Sequence, residues 1–199
     1  MAGQSPTETA AIWASPASIW NEDDPPLNAK PIQIGHQMTL EALQARLTAA
    51  EDRLAIIDLE AEYSRAWDSG DETGWASVFT PQGVFELSGA GAQPPRIVQG
   101  ADALAAFCKE VNAFYRGLHF TTVPRLELND NRARGQVHFQ WLGLFRQGET
   151  FSGQRRAAGY YDVTYEKTGG AWRMARRVET QISGDLSEAF DPFIKVSLR

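Results

Sequence analysis

The sequence predicts an α+β domain, with N-terminal helices packed on a curved antiparallel sheet and a pocket enclosed between them. Three observations predict it. Apolar residues at three- and four-residue steps fill the stretch that starts at Thr39. Four strand-like stretches follow one another over roughly 118–183. The segments between them, Asn129-Asp130-Asn131, Gln147-Gly148-Glu149 and Thr168-Gly169-Gly170, carry hairpin chemistry. Helices first and a meander afterwards give segregated layers, and the space between the layers is where a pocket forms.

Residues 1–38 read as an arm. They hold Pro6, Pro16, Pro25, Pro26 and Pro31, half of the ten prolines, and the acidic run Glu22-Asp23-Asp24. That is poor material for long helices or central strands. The same stretch holds Ile12, Trp13, Ile19 and Trp20. Two readings stand: a solvated tail, or an extended arm that lays these aromatics on its own body or on a neighbouring subunit.

The body spans 39–183. A long helix carries Leu40, Leu43, Leu47, Leu54, Ile57, Ala61 and Trp67, with Thr39 as N-cap and Glu41 in its first turn. Ser69-Gly70-Asp71 is its stop, and Asp71 caps a short second helix with Trp75, Val78 and Phe79. Pro81-Gln82-Gly83 turns into a strand over 84–87, and 88–95 is a Gly-, Ala- and Pro-rich loop. A short strand over 96–99 precedes a helix opened by Gly100 and running through Leu104, Phe107, Val111 and Tyr115. The strands are expected at about 118–128, 135–146, 153–167 and 171–183. An extension, 184–199, closes the chain; its Phe190, Pro192 and Phe193 are candidates to cap the pocket mouth or to meet another subunit.

Composition excludes several function classes. A chain of 199 residues with 43% hydrophobic and 22% charged residues has the balance of one globular domain. A net charge of −6 argues against a general nucleic-acid binder. A single cysteine, Cys108, excludes an intrachain disulfide framework and a multi-cysteine zinc site. No His/Asp/Glu set has metal-site spacing, so no metal is expected. No apolar run approaches the length of a membrane span. The N-terminus lacks a basic n-region and an apolar h-region, so a cytoplasmic location is expected.

The phrases that fill this frame carry a resemblance. They include Ala50-Glu51-Asp52-Arg53-Leu54-Ala55-Ile56-Ile57-Asp58-Leu59, Tyr63, Ala66-Trp67-Asp68-Ser69-Gly70-Asp71 and Val78-Phe79-Thr80-Pro81-Gln82-Gly83-Val84-Phe85. Gln99-Gly100-Ala101-Asp102-Ala103-Leu104, His119, Gly159-Tyr160-Tyr161 and Gly170-Ala171-Trp172-Arg173-Met174-Ala175-Arg176-Arg177 complete the order. Over about 47–180 the chain resembles the SnoaL-like branch of the nuclear transport factor 2-like superfamily, an α+β cone. That branch includes scytalone dehydratase, bile acid 7α-dehydratase and hexachlorocyclohexane dehydrochlorinase. The resemblance implies a buried Asp–His pair that takes a proton from carbon, falling on Asp68 and His119. It implies a polar partner at Tyr63, an anion-stabilising arginine at Arg177, no organic cofactor and a homo-oligomer, with a trimer favoured. The dehydrochlorinase has an Asn four residues after its His; here that position is Val123.

The residues themselves bear on the same site. Histidine has the unperturbed pKa suited to taking a proton near neutral pH, and the chain has three. His36 falls in the arm. His138 alternates with Val137 and Phe139 and so points away from their face, whereas His119 shares parity with Thr121 and Val123. An Asp68 carboxylate accepting the His119 ring N–H would fix the tautomer and stabilise the imidazolium as it forms. Tyr63 lies five residues before Asp68, near the same helix face, where it can donate to a carbonyl or a leaving oxygen. Strict alternation puts Trp172, Met174 and Arg176 on one sheet face and Arg173, Ala175 and Arg177 on the other. An inward Arg177 needs a carboxylate, a substrate or a leaving group as partner. Trp67, Phe85, Phe139, Trp141 and Tyr161, with Val123, are the candidate lining, and they imply a small, flat, apolar or polycyclic substrate.

The expected function is a lyase of the dehydratase kind, or an isomerase. Two readings from other classes stay open: a non-catalytic ligand-binding domain, and a structural partner resembling the β chain of ring-hydroxylating dioxygenases.

Overall fold

A computed structural model describes residues 38–88, 94–147 and 150–184. The expected arm up to residue 37, most of the 88–95 loop, and Phe190, Pro192 and Phe193 lie outside the described residues. The chain splits into two compact units, Met1–Met38 and Thr39–Arg199, and every element below belongs to the second.

Helix α1 spans Leu40–Ser69. The Thr39 side chain accepts from the Ala42 N–H at its start. Gly70, with φ 72°, ends it, and the Asp71 N–H reaches back to the Ala66 carbonyl at 2.8 Å. Only a residue at ease in the left-handed region closes a helix this way cheaply. Asp71 then accepts from the Gly74 N–H at 2.8 Å and caps α2, Glu72–Ser77. The body-facing residues of α1 are Ile56, Glu60, Tyr63 and Ala66, all buried. Leu40, Leu43, Leu47 and Leu54, whose spacing announces the helix, lie exposed instead.

Strands β1 (Phe79–Leu87) and β2 (Arg96–Gln99) pair antiparallel, and α3 (Ala101–Phe114) follows with Gly100 at its N-cap. The turn expected at Pro81–Gly83 is an irregularity within β1, where pairing to the last strand shifts between Phe79 and Val84. Tyr115, expected at the end of α3, is extended and begins β3, Tyr115–Thr121. The strand expected over 118–128 is two strands, β3 and β4 (Arg125–Asn129). Pro124, which cannot donate to a ladder, sits between them. Strands β5 (Arg132–Gln147), β6 (Thr150–Thr168) and β7 (Ala171–Gly184) complete the meander.

The curved sheet has seven strands in the order β2-β1-β7-β6-β5-β3 and stays unclosed, with β4 beside β3 on the same side of β5. Among the described residues its pairings are antiparallel except for β1 with β7. Its inner face presents Phe85, Val137, Phe139, Tyr161, Val163, Tyr165, Trp172 and Met174 to the helices. Phe139 and Tyr161 stack at 4.4 Å, and Trp75 packs on Phe85 at 5.5 Å. Asp52 on α1 ties the helix to the β6–β7 hairpin, accepting from Lys167 at 2.7 Å and from the Trp172 indole at 2.8 Å. Burial alone would raise its carboxyl, yet those two hydrogen bonds and the Lys167 charge hold it below the usual carboxylate range.

Strand β7 breaks the alternation that the sequence implies. Thr164 pairs with Arg176 and the next residue, Tyr165, pairs with Met174, so Ala175 bulges out of the ladder. Side chains beyond the bulge exchange faces. Trp172, Met174 and Arg177 all point inward, and Arg176 is exposed against Glu86. The reading that sets Trp172 and Met174 on the opposite face from Arg177 is therefore corrected. Its physical reason is the one extra residue.

Candidate active site

The last turn of α1 and the start of β3 build the centre. Arg116, on β3, donates to the Ser69 carbonyl at 2.9 Å. A cation there satisfies an orphan carbonyl and suits the negative end of the helix. Three residues on, His119 meets Asp68 twice. Its backbone N–H donates to Asp68 Oδ2 at 2.8 Å, and its ring Nδ1 lies 2.6 Å from Oδ1. One carboxylate thus grips both the main chain and the ring of His119. With Asp68 ionised, Nδ1 carries the proton and Nε2 has the free lone pair. The pair is largely enclosed, with side-chain exposures of 6% for His119 and 15% for Asp68.

Tyr63 and Trp67 flank the imidazole, their ring centroids 6.2 and 6.3 Å from it. Trp141 stands opposite His119 in the β3–β5 ladder, on the same face of the sheet. Its indole lies across Gly117 and Gly143, where an added Cβ would come within 2.6 and 2.1 Å of the ring. Its N–H is buried without a hydrogen-bond partner among the described residues.

Behind Tyr63 lies an ion pair that the sequence does not announce. Arg177 Nη1 donates to Glu60 Oε1 and Oε2, both at 2.8 Å, and the Tyr165 hydroxyl donates to Oε1 at 2.6 Å. The guanidinium lies over the rings of Tyr63 and Tyr161, at 3.9 and 3.8 Å from their centroids. Arg177 is fully buried, and its Nε and Nη2 meet no hydrogen-bond partner among the described residues. Burial works against its charge, but the Glu60 carboxylate together with Tyr63, Tyr161 and Tyr165 outweighs burial and holds the guanidinium firmly protonated. The signal for Glu60 is its place at helical spacing between Ile56 and Tyr63, a carboxylate on a face otherwise apolar.

Tyr63 is also fully enclosed. Burial pushes its phenol well above the ordinary value, with Arg177 partly offsetting it, so it is a neutral hydrogen-bond donor near pH 7 and not a base. Burial pushes the Cys108 thiol up to about 12, so it is no nucleophile.

The remaining candidates divide. Phe85, Phe139 and Tyr161 are buried in the core, and Trp67 and Trp141 are half-buried beside His119. Val123 stands apart, 72% exposed between β3 and β4. His138 is exposed on the face opposite Val137 and Phe139. Among the described residues no three His, Cys, Asp or Glu side chains are grouped to hold a metal ion, and no helix is long and apolar enough to cross a membrane.

The family model described as SnoaL-like domain matches residues 48–178. No curated protein matches the chain. Solved structures do. An NTF2-like protein with a cystatin-like fold from Novosphingobium aromaticivorans superposes with a TM-score of 0.58 at 23% identity, over 77% of this chain and 96% of its own. A type 2 hexachlorocyclohexane dehydrochlorinase gives 0.61 at 21% identity, over 70% and 90%. A type 3 enzyme from Novosphingobium barchaimii gives 0.58 at 21% identity, over 68% and 90%.

Proposed function

The chain belongs to the SnoaL-like domain family, and from that premise we propose that it is a cofactor-independent lyase of the dehydratase or dehydrohalogenase kind, or an isomerase, acting on a small apolar cyclic substrate. The single observation that carries the reading is the 2.6 Å contact between Asp68 Oδ1 and His119 Nδ1 in an enclosed, aromatic-walled setting. Similarity to the dehydrochlorinases supports it at the level of fold.

The mechanism follows from the geometry. Asp68 orients the imidazole, so Nε2 is the atom that takes a proton from a carbon next to an electron-withdrawing group. The carboxylate beside Nδ1 then stabilises the imidazolium. Tyr63, kept neutral, donates its proton in a hydrogen bond to the oxygen or leaving group where negative charge builds. Arg177, held by Glu60 against the Tyr63 ring, partly offsets the effect of burial on that phenol and so strengthens it as a hydrogen-bond donor. Trp67 and Trp141 favour a flat apolar ligand. Elimination completes when the carbanion expels hydroxide or halide; isomerisation completes when the proton returns to a different carbon. A homo-oligomer is the expected working assembly.

The test does not depend on the identity of the natural substrate. Cyclic ketones bearing a β-hydroxyl or β-chlorine are incubated with the full chain in D2O, and exchange at the α-carbon is followed by proton NMR. Chloride release from hexachlorocyclohexane is measured in parallel. Catalysed exchange that falls by about 10²- to 10⁴-fold in His119→Gln and Asp68→Asn is the expected result. Tyr63→Phe should cost about 10²-fold. Exchange that survives His119→Gln unchanged, or no exchange with any probe, removes the proton-abstraction reading and leaves a ligand-binding domain.

A further inference from the structure

The first half of α1 stands away from the sheet. Every residue from Leu40 to Glu51 is exposed. Leu40, Leu43, Leu47 and Leu54 are 73, 49, 56 and 61% exposed, a costly arrangement for four large apolar side chains in a row. Their spacing is not scattered. Leu40, Leu43, Leu47, Ala50, Leu54 and Ile57 follow one another at alternating steps of three and four. That is the a/d seam of a heptad repeat, in which apolar residues recur about every 3.5 positions along one side of a helix. At about 100° per residue, this seam lies roughly opposite the body-facing line of Ile56, Glu60 and Tyr63. The helix therefore buries one side and presents a second apolar side outward, still open where its C-terminal half is docked.

The charges beside the seam choose the occupant. With Leu40 at position a, Arg46 and Arg53 fall at g, and Gln44, Glu51 and Asp58 fall at e. In a parallel pair, g faces the following e of the other strand. Arg46 then meets Glu51 of the partner subunit, and Arg53 meets Asp58 of the partner subunit. In an antiparallel pair g faces g and e faces e, which sets arginine on arginine and acid on acid. We propose that this seam pairs in parallel with the same seam of a second copy of the chain, as a short two-stranded coiled coil. Arg53 Nη2 also donates to the Leu126 carbonyl of β4 at 3.3 Å.

The seam covers about two and a half heptads, fewer than the three to four that stand alone. Here the helix is already nucleated by its docked half, so pairing orders little new backbone. The contact is accordingly modest and concentration-dependent, and it adds to whatever else joins the subunits.

Cysteine cross-linking of the full chain tests the proposal. A parallel pair brings each a position next to its own copy. Leu40→Cys alone and Leu54→Cys alone should each give a disulfide-linked dimer under mild oxidation, at least tenfold faster than Ala113→Cys on the exposed side of α3. Adding Leu47→Glu should abolish that advantage. Glu51→Arg should slow cross-linking, and Arg46→Glu in the same chain should restore it. Far-ultraviolet circular dichroism confirms that each variant is folded, since every position is exposed. Cross-linking of Leu40→Cys only when mixed with Leu54→Cys would mean an antiparallel pair and overturn the proposal. A rate no higher than that of Ala113→Cys would also overturn it, leaving the seam bare or covered by residues 1–37.

Discussion

Arg177 and Glu60 are the charged residues buried in the interior among the described residues. Together with Tyr165 they close a network that leaves little of Glu60 unsatisfied. Removing one charge strands the other in a low-dielectric interior. Arg177→Met should therefore lower unfolding free energy by about 3–5 kcal/mol, measured by urea titration of the full chain. Glu60→Leu added to Arg177→Met should recover a large part of that loss, because no lone charge remains. A double variant no more stable than the single one would show that the tyrosine contacts, and not the charge pair, carry the energy. Asp68 and His119 are legible in the sequence because ordered phrases fix their neighbours. Glu60 is not: helical spacing shows that it shares a line with Ile56 and Tyr63, but not that this line faces the sheet.

At the scale of elements, the boundary between α1 and α2 rests on Gly70. Its φ of 72° suits glycine, and a Cβ there would lie 3.2 Å from Arg116 Nη1. Gly70→Ala should cost about 1 kcal/mol or slightly more, read as a lower urea midpoint. Since Arg116 also anchors the start of β3, the same variant should weaken the register of His119 on Asp68; a loss of α-proton exchange larger than the stability change explains would show it. Helix caps and hairpin turns are readable from the sequence because each depends on one or two local residues, such as Asp71 or Gly169-Gly170. The break at Pro124 and the early start of β3 are not, because pairing with β5 decides them. The leucine stripe of α1 marks a helix by its spacing alone. Which side of the helix it occupies relative to the body depends on tertiary contacts.

For the whole molecule, three buried phenols set an alkaline limit on stability. Burial, the largest cause in each case, pushes Tyr63, Tyr161 and Tyr165 above the ordinary value of 10.0. The folded chain keeps these protons where the unfolded chain releases them. Their stabilisation is fully present below pH 10 and is lost as pH rises beyond it, by up to about 1.4 kcal/mol per phenol per pH unit. The urea midpoint should hold between pH 7 and 9 and drop steeply by pH 11. A Tyr165→Phe variant should show a shallower drop. An alkaline midpoint equal to the neutral one would contradict the enclosure of these rings.

The bulge at Ala175 changes how kinship should be read along β7. Gaining or losing one codon is ordinarily among the harshest changes a strand can suffer, since every later side chain turns over. Here one surplus residue is absorbed by bending, and losing Ala175 would leave a regular strand with Arg177 still inward. A substitution scan counting by twos from Trp172 would pick Arg176 as the interior arginine and study a surface residue. Two lineages of this domain that differ in length at this point can therefore keep the same interior, and the gap between them belongs at Ala175.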